Sequence, residues 1–156
     1  MDDLGRFPIR KHPRMGWYDY RTANTYFVTI CTWQKRCLFG RPCILNPAGR
    51  WADVGFGQIP AHFPGVTVEK WVVMPNHVHA LVTLMGDGAS LSNVVGQYKS
   101  FVSRKIHSSS PELRVWQTSF HDHVVRNQQD HQRIWAYIDG NPSNWEKDCF
   151  YLAAGE

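Results

Sequence analysis

The chain of 156 residues predicts an α+β domain: one antiparallel sheet with helices packed on one face, a ferredoxin-like arrangement. Two observations carry this expectation. Runs rich in β-branched and aromatic residues recur at 25–32, 66–74 and 77–84, the last two separated only by the turn-forming pair Pro75-Asn76. Apolar residues at helical spacing then mark 91–107 and 128–140, each alternating with strand-like sequence.

Taken in order, residues 1–20 place Arg6, Arg10, Lys11 and Arg14 among Phe7, Pro8, Pro13, Trp17 and Tyr18. Prolines and like charges predict an extended basic arm there, ahead of a single domain at 21–156. Thr25-Tyr26-Phe27-Val28-Thr29-Ile30-Cys31-Thr32 reads as the first strand. Asn46 is a good helix cap, but Gly49, Gly55, Gly57 and Pro60 weaken any helix over 46–63. The strand pair around Pro75-Asn76 ends at Met85-Gly86-Asp87-Gly88. Leu91, Val94, Val95, Tyr98 and Val102 then form one buried stripe of a helix, with Lys99 and Arg104 off it. Ser108-Ser109-Ser110-Pro111 breaks that helix, and a short strand or turn segment covers Val115 to Val125. Asn127 caps the last main helix, with Asp130 in its first turn and Ile134 and Ile138 toward the core. Gly140 and Pro142 close it, and Pro142 should push Asn141 out of helical geometry.

Hydrophobic content of 43% and charged content of 19% are globular values, which excludes wholesale disorder. A net charge of +4 permits a nucleic-acid partner without demanding one. The seven tryptophans could stack on bases, though any single ring is first of all a core residue. Cysteines at 31, 37, 43 and 149 contain no C-x-x-C pair, so free thiols in a reducing compartment are expected. No apolar run reaches membrane-spanning length and the N-terminus lacks a signal-peptide core, so the expected location is the cytoplasm, with no membrane partner.

The chemistry centres on His77-Val78-His79. Alternation along a strand puts both imidazoles on one face and Val78 and Ala80 on the other. Spacing alone serves equally a divalent-metal site and a pair of buried, hydrogen-bonded histidines. Tyr137 and Asn141, four apart on a helix, share a face. By itself a tyrosine beside Ile134 and Ile138 is a packing residue. Its phenol is also a competent nucleophile for a phosphodiester, conserving bond energy as a phosphotyrosine. A second pair, His121-Asp122-His123, lies in a short polar segment and suits solvent or phosphate contact better than metal.

Several stretches together resemble one family. They are Tyr26-Phe27-Val28-Thr29-Ile30-Cys31-Thr32, Trp71-Val72-Val73-Met74-Pro75-Asn76-His77-Val78-His79, and Trp116-Gln117 with Phe120-His121-Asp122-His123-Val124-Val125-Arg126-Asn127. Tyr137-Ile138-x-x-Asn141-Pro142, followed by Trp145-Glu146-Lys147-Asp148, completes the set. In this order, over roughly residues 11–151, they resemble the REP-associated tyrosine transposases of the HUH single-strand endonucleases. The resemblance implies the HUH endonuclease fold, with His77 and His79 as metal ligands and Tyr137 as nucleophile. It puts Asn141 where many insertion-sequence relatives use a glutamine as third ligand. It further implies Mg²⁺ or Mn²⁺ as cofactor, single-stranded DNA and hairpins of repetitive palindromic elements as partners, and a monomer rather than a homodimer. Arg10, Lys11, Arg14, Lys99, Arg104, His123 and Arg126 become candidates for DNA contact. Two departures stand out: Gly140 beside Asn141, and the glycine-rich 46–63 where the family has a regular helix.

Other classes fit less well. An amidohydrolase-type H-x-H needs a barrel of about 250 residues. A cupin-like site wants a glutamate past the second histidine, where Thr83, Leu84 and Met85 stand. A cyclic phosphodiesterase wants two H-x-Thr/Ser strand motifs, and His107-Ser108-Ser109 falls at a helix end. The contrasting class is a non-cleaving DNA-binding regulator derived from a transposase, which would not require His77, His79, Tyr137 and Asn141 together.

Overall fold

A computed structural model describes residues 24–85, 89–148, 150 and 151. The basic arm, with Arg10, Lys11 and Arg14, lies outside the described residues.

Four strands form the main sheet: β1 (Asn24–Cys31), β4 (Val66–Met74), β5 (His77–Leu84) and β6 (His121–Val124), in the spatial order β4-β5-β1-β6. All three pairings are antiparallel. β4 and β5 are joined by Pro75-Asn76 alone, and this tight connection fixes their register, with Met74 opposite His77 and Val72 opposite His79. A two-stranded ribbon, β2 (Gly40–Arg41) and β3 (Ile44–Leu45), sits apart and feeds α1 (Pro47–Gly57) and the short α2 (Ile59–His62). α3 spans Leu91–His107 and α4 spans Gln128–Gly140, and a 3₁₀ segment Pro142–Lys147 follows.

The antiparallel α+β class stands, but the helices do not share one face. Tyr26, Val28 and Ile30 of β1 with Val78, Ala80, Val82 and Leu84 of β5 pack against Ala52 and Phe56 of α1 and the whole apolar stripe of α3. Phe27 and Leu81 point the other way, into a second cluster with Ile134, Tyr137 and Ile138 of α4. The reason is visible in β1, where Tyr26 through Cys31 are all buried. A strand that alternates between apolar and solvent would need one helical layer, whereas this near-continuous run needs two. α4 is tied across the outer edge by Lys70–Asp139 (2.9 Å) and His131–Glu69 (2.7 Å). Such exposed pairs contribute little, so the apolar contacts of Ile134 and Ile138 hold the helix down.

The glycine-rich segment does form a helix. Asn46 caps it, accepting from the Gly49 amide at 2.8 Å, and Pro47 occupies the first turn where a missing N–H costs nothing. Two glycines are required by close approach: a Cβ on Gly49 would run into the Phe39 carbonyl oxygen, and one on Gly55 would lie 2.9 Å from the Tyr98 ring. The propensity lost at these positions is offset by the close packing of α1 against Phe39, against Leu45 of β3 and against α3. Asn141 also departs from expectation. It keeps helical angles (φ −58°, ψ −46°) despite preceding Pro142, because the chain tightens into the 3₁₀ segment and the Asn141 N–H donates to Ile138 O (3.2 Å). Gly140 is likewise held, its carbonyl accepting from Ser143 Oγ and Asn144 Nδ2. Cys31 is buried, Cys37 half-buried and Cys43 exposed.

Gly49→Ala should therefore lower the unfolding free energy by about 2 kcal/mol or more, an overpacking cost against backbone. Gly57→Ala, with open space around the added methyl, should be neutral or stabilising by up to about 1 kcal/mol. Urea denaturation of the two variants checks the contrast.

Candidate active site

The second face of the sheet carries the site. Across the four strands, one row of neighbours reads Val72, His79, Thr29, His121, and the next toward the β4–β5 turn pairs His77 with Cys31. His77 and His79 are fully buried, with ring centroids 4.6 Å apart.

Each histidine is oriented through its Nδ1. His77 Nδ1 lies 2.9 Å from Asn76 Oδ1, while the Asn76 amide nitrogen donates to Phe150 O (2.7 Å) and Lys35 O (3.1 Å). Those two donations fix which end of the amide is oxygen, so the His77 proton must sit on Nδ1 and Nε2 presents a lone pair. His79 Nδ1 lies 2.8 Å from Thr29 Oγ1. Burial, then the neighbouring His79, drives the His77 pKa well below the usual 6.5, against a smaller opposing effect of Asn141. Burial alone pushes His79 down to about 3. Both rings are neutral at physiological pH, the form that binds a metal.

α4 brings the remaining groups over this face. The Tyr137 hydroxyl is 3.5 Å from His79 Nε2, with the phenol edge-on to Phe27. Asn141, one turn on, is 2% exposed. Among the described residues, His77 Nε2 and Asn141 Oδ1 are both buried without a hydrogen-bond partner. Orphaned buried acceptors are rare and costly. A lone-pair nitrogen and an amide oxygen are both donors to a divalent cation, so the residues present fit the ion that the resemblance implies.

The chain also brings in Asp148, which sequence spacing did not single out. His77, His79 and Asp148 place their ligand atoms within 4.8 Å of one another. Phe150 lies tilted against His77 at 4.5 Å between centroids, and Trp145 lies at 6.2 Å, so the segment after α4 walls the site with aromatic rings. No periodicity runs through 142–150; the only signal was its place in the family motif.

The DNA-contact candidates separate into two groups. His123 and Arg126 border α4: His123 pairs with Phe27 on the site's face, and its Nε2 lies 2.9 Å from Asp130 Oδ2. Arg126 is exposed, and both residues line a cavity of about 400 Å³ with Asn127, Asp130 and Arg133. Lys99 and Arg104 sit on α3, behind the sheet. Lys99 Nζ donates to the carbonyls of Gln117, Thr118 and Ser119, buttressing the loop before β6, whereas Arg104 is exposed in the last turn.

Residues 61–141 match the model of the IS200-like transposase family. The chain belongs to this family. An uncharacterized protein of Haemophilus influenzae is 29% identical over 168 residues, covering 92% of this chain and 93% of that one. The REP-associated tyrosine transposase of Escherichia coli is 28% identical over 75 residues, 48% of this chain and 43% of the relative. The fold matches a solved REP-associated tyrosine transposase bound to a REP hairpin, with a TM-score of 0.64 at 22% identity over 83% of this chain and 74% of that one. It also matches a provisionally assigned transposase from Deinococcus radiodurans, with a TM-score of 0.54 at 17% identity over 81% and 95%. Among the described residues no helix is long and apolar enough to cross a membrane.

The buried histidines make the metal-free transposase acid-sensitive. The unfolded chain takes up a proton at His79 below its ordinary 6.5, whereas the folded chain does so only near 3. Stability from this residue is therefore full above pH 6.5 and declines as pH falls toward 3. At pH 5 the loss should be about 2 kcal/mol relative to pH 7. Urea midpoints measured in EDTA at both pH values should show it, and His79→Gln should flatten the dependence.

Proposed function

We propose that this transposase nicks and rejoins single-stranded DNA beside hairpins of palindromic repeats through a 5′-phosphotyrosine on Tyr137. The observation that carries the reading is the Tyr137 hydroxyl set 3.5 Å from His79 Nε2, beside two buried donor atoms that no hydrogen bond among the described residues satisfies. A purely DNA-binding protein has no use for a phenol packed against such a cluster.

His77 Nε2, His79 Nε2 and Asn141 Oδ1 would hold the ion, Mg²⁺ or Mn²⁺ being the hard, exchangeable cations that engage phosphate oxygens. Bound there, it would polarise the scissile phosphate and neutralise charge that develops in the transition state. Tyr137 Oη attacks phosphorus in line; the Tyr–O–P bond forms as the P–O3′ bond breaks, and the departing 3′ oxygen takes up a proton. A second 3′-hydroxyl reverses these steps and rejoins a strand, releasing Tyr137 without any nucleotide cofactor. Thr29 and Asn76 keep the two imidazoles turned toward the site, and Phe27, packed edge-on to the phenol, limits its travel. His123 and Arg126, at the end of α4 that borders the same face, would meet the incoming strand; the basic arm with Arg10, Lys11 and Arg14 would follow its backbone. A cytoplasmic monomer acting on one hairpin at a time completes the reading.

Tyr137→Phe should abolish the covalent protein–DNA adduct, with cleavage falling at least about 10³-fold, while hairpin affinity stays within about twofold. Denaturing gels of labelled single-stranded hairpin substrates, beside gel-shift titrations, test this. An adduct persisting in the variant overturns the assignment of Tyr137. His77→Ala with His79→Ala should remove Mn²⁺-dependent cleavage, and cleavage at the wild-type rate would refute the ligand reading.

A further inference from the structure

We infer that the Asp148 carboxylate is a ligand of the divalent ion, so that the segment following α4 completes the metal centre and is fastened to the sheet when the ion binds. This rests on the reading of His77 and His79 as ligands and extends it to a charged donor from a different part of the chain.

The Asp148 side chain is 2% exposed, and its Oδ2 lies 3.7 Å from His77 Nε2. That nitrogen is without a proton, because Asn76 holds the His77 proton on Nδ1. A carboxylate oxygen and a lone-pair nitrogen therefore face each other at a separation too long for a hydrogen bond, and Nε2 has no other partner. Two electron-rich atoms held this way in a dry site repel one another unless a cation lies between them. Donors about 2.1 Å from a shared ion stand about 3–4 Å apart, which the observed separation matches. The other carboxylate oxygen is engaged elsewhere, accepting from the Phe150 amide at 2.8 Å, so Asp148 is held in one rotamer with Oδ2 toward the histidines. With Asn141 Oδ1 also orphaned, the donor set is two imidazole nitrogens, an amide oxygen and a carboxylate oxygen. The carboxylate supplies the set's one negative charge and favours a hard ion.

The role also couples the ion to the chain's conformation. Asp148 follows the 3₁₀ segment, and Asn76 Nδ2 grips the Phe150 carbonyl two residues later. A ligand bond from Asp148 would add a further tie between this segment and β5.

Asp148→Asn keeps an oxygen for the Phe150 amide and removes the charge. Calorimetric titration with Mn²⁺ should show affinity reduced at least about tenfold, with an unchanged melting temperature in EDTA and a smaller Mn²⁺-induced rise. Glu146→Gln, an exposed acid on the same segment, should bind Mn²⁺ as the wild type does. In wild-type protein carrying carboxylate-¹³C aspartate, electron–nuclear double resonance of bound Mn²⁺ should show ¹³C coupling, a readout independent of any variant's folding. Wild-type affinity in Asp148→Asn, or absence of that coupling, overturns the inference. Failure of the wild type to bind Mn²⁺ overturns the histidine reading itself, and Asp148 with it.

Discussion

One buried side chain, that of Asn76, holds together the parts of the molecule on which chemistry depends. Its carbonyl oxygen orients His77, and its amide nitrogen reaches the carbonyls of Lys35 and Phe150. Its main-chain oxygen accepts from the amide and the hydroxyl of Thr32. The β4–β5 connection, the exit of β1 and the Phe150 carbonyl thus meet at one fully buried residue. Every polar atom of that side chain is spent, which is what allows a polar group to sit in a dry site without destabilising it. An aspartate there would lose both donations, and a leucine would leave two carbonyls and an imidazole without partners.

Around this point the two layers of helix do different work. α1 and α3 cover the apolar face of β1 and β5 and give the sheet its rigidity. α4 covers the other face, where the apolar cluster is small and gives way to Thr29, His77 and His79. The site is therefore an interruption of the second core, walled by Phe27, Trp145 and Phe150. The same dry surroundings that keep both imidazoles neutral would strengthen any charge–charge interaction formed there.

Much of this was legible in the residues. β1, the β4–β5 pair, α3 and α4 follow from apolar spacing and from Asn127 and Pro75-Asn76, because local turn and cap chemistry agrees with the tertiary packing. The segment after Asn46 was harder, since Gly49 and Gly55 reduce helix propensity for reasons that exist only once Phe39 and Tyr98 are in place. The second helical layer was signalled by the near-continuous apolar run of β1, but an alternating reading of β5 around Val78 and Ala80 obscured it. Of the site, His77, His79, Tyr137 and Asn141 carry spacing that a periodic element can reveal. Asp148 and the several contacts of Asn76 do not, because they join residues about forty to seventy-four positions apart through irregular segments. Lys99 illustrates the opposite limit: a lysine off an apolar stripe reads as solvated or as a phosphate contact, yet its ammonium serves three carbonyls of a neighbouring loop.

Tyr137 and Asn141 ride on the same face of one helix, separated by a single turn of about 5.4 Å. α4 is anchored at its start by the Asn127 cap and the Asp130 cluster, and along its length by Ile134 and Ile138. Anchored in this way it would move only as one rigid body, so phenol and amide could not be repositioned one without the other. Any tilt that swings the hydroxyl away from His79 also lifts the Asn141 oxygen from beside His77. On the proposed function, withdrawal of the nucleophile and dismantling of the donor set would be one mechanical event.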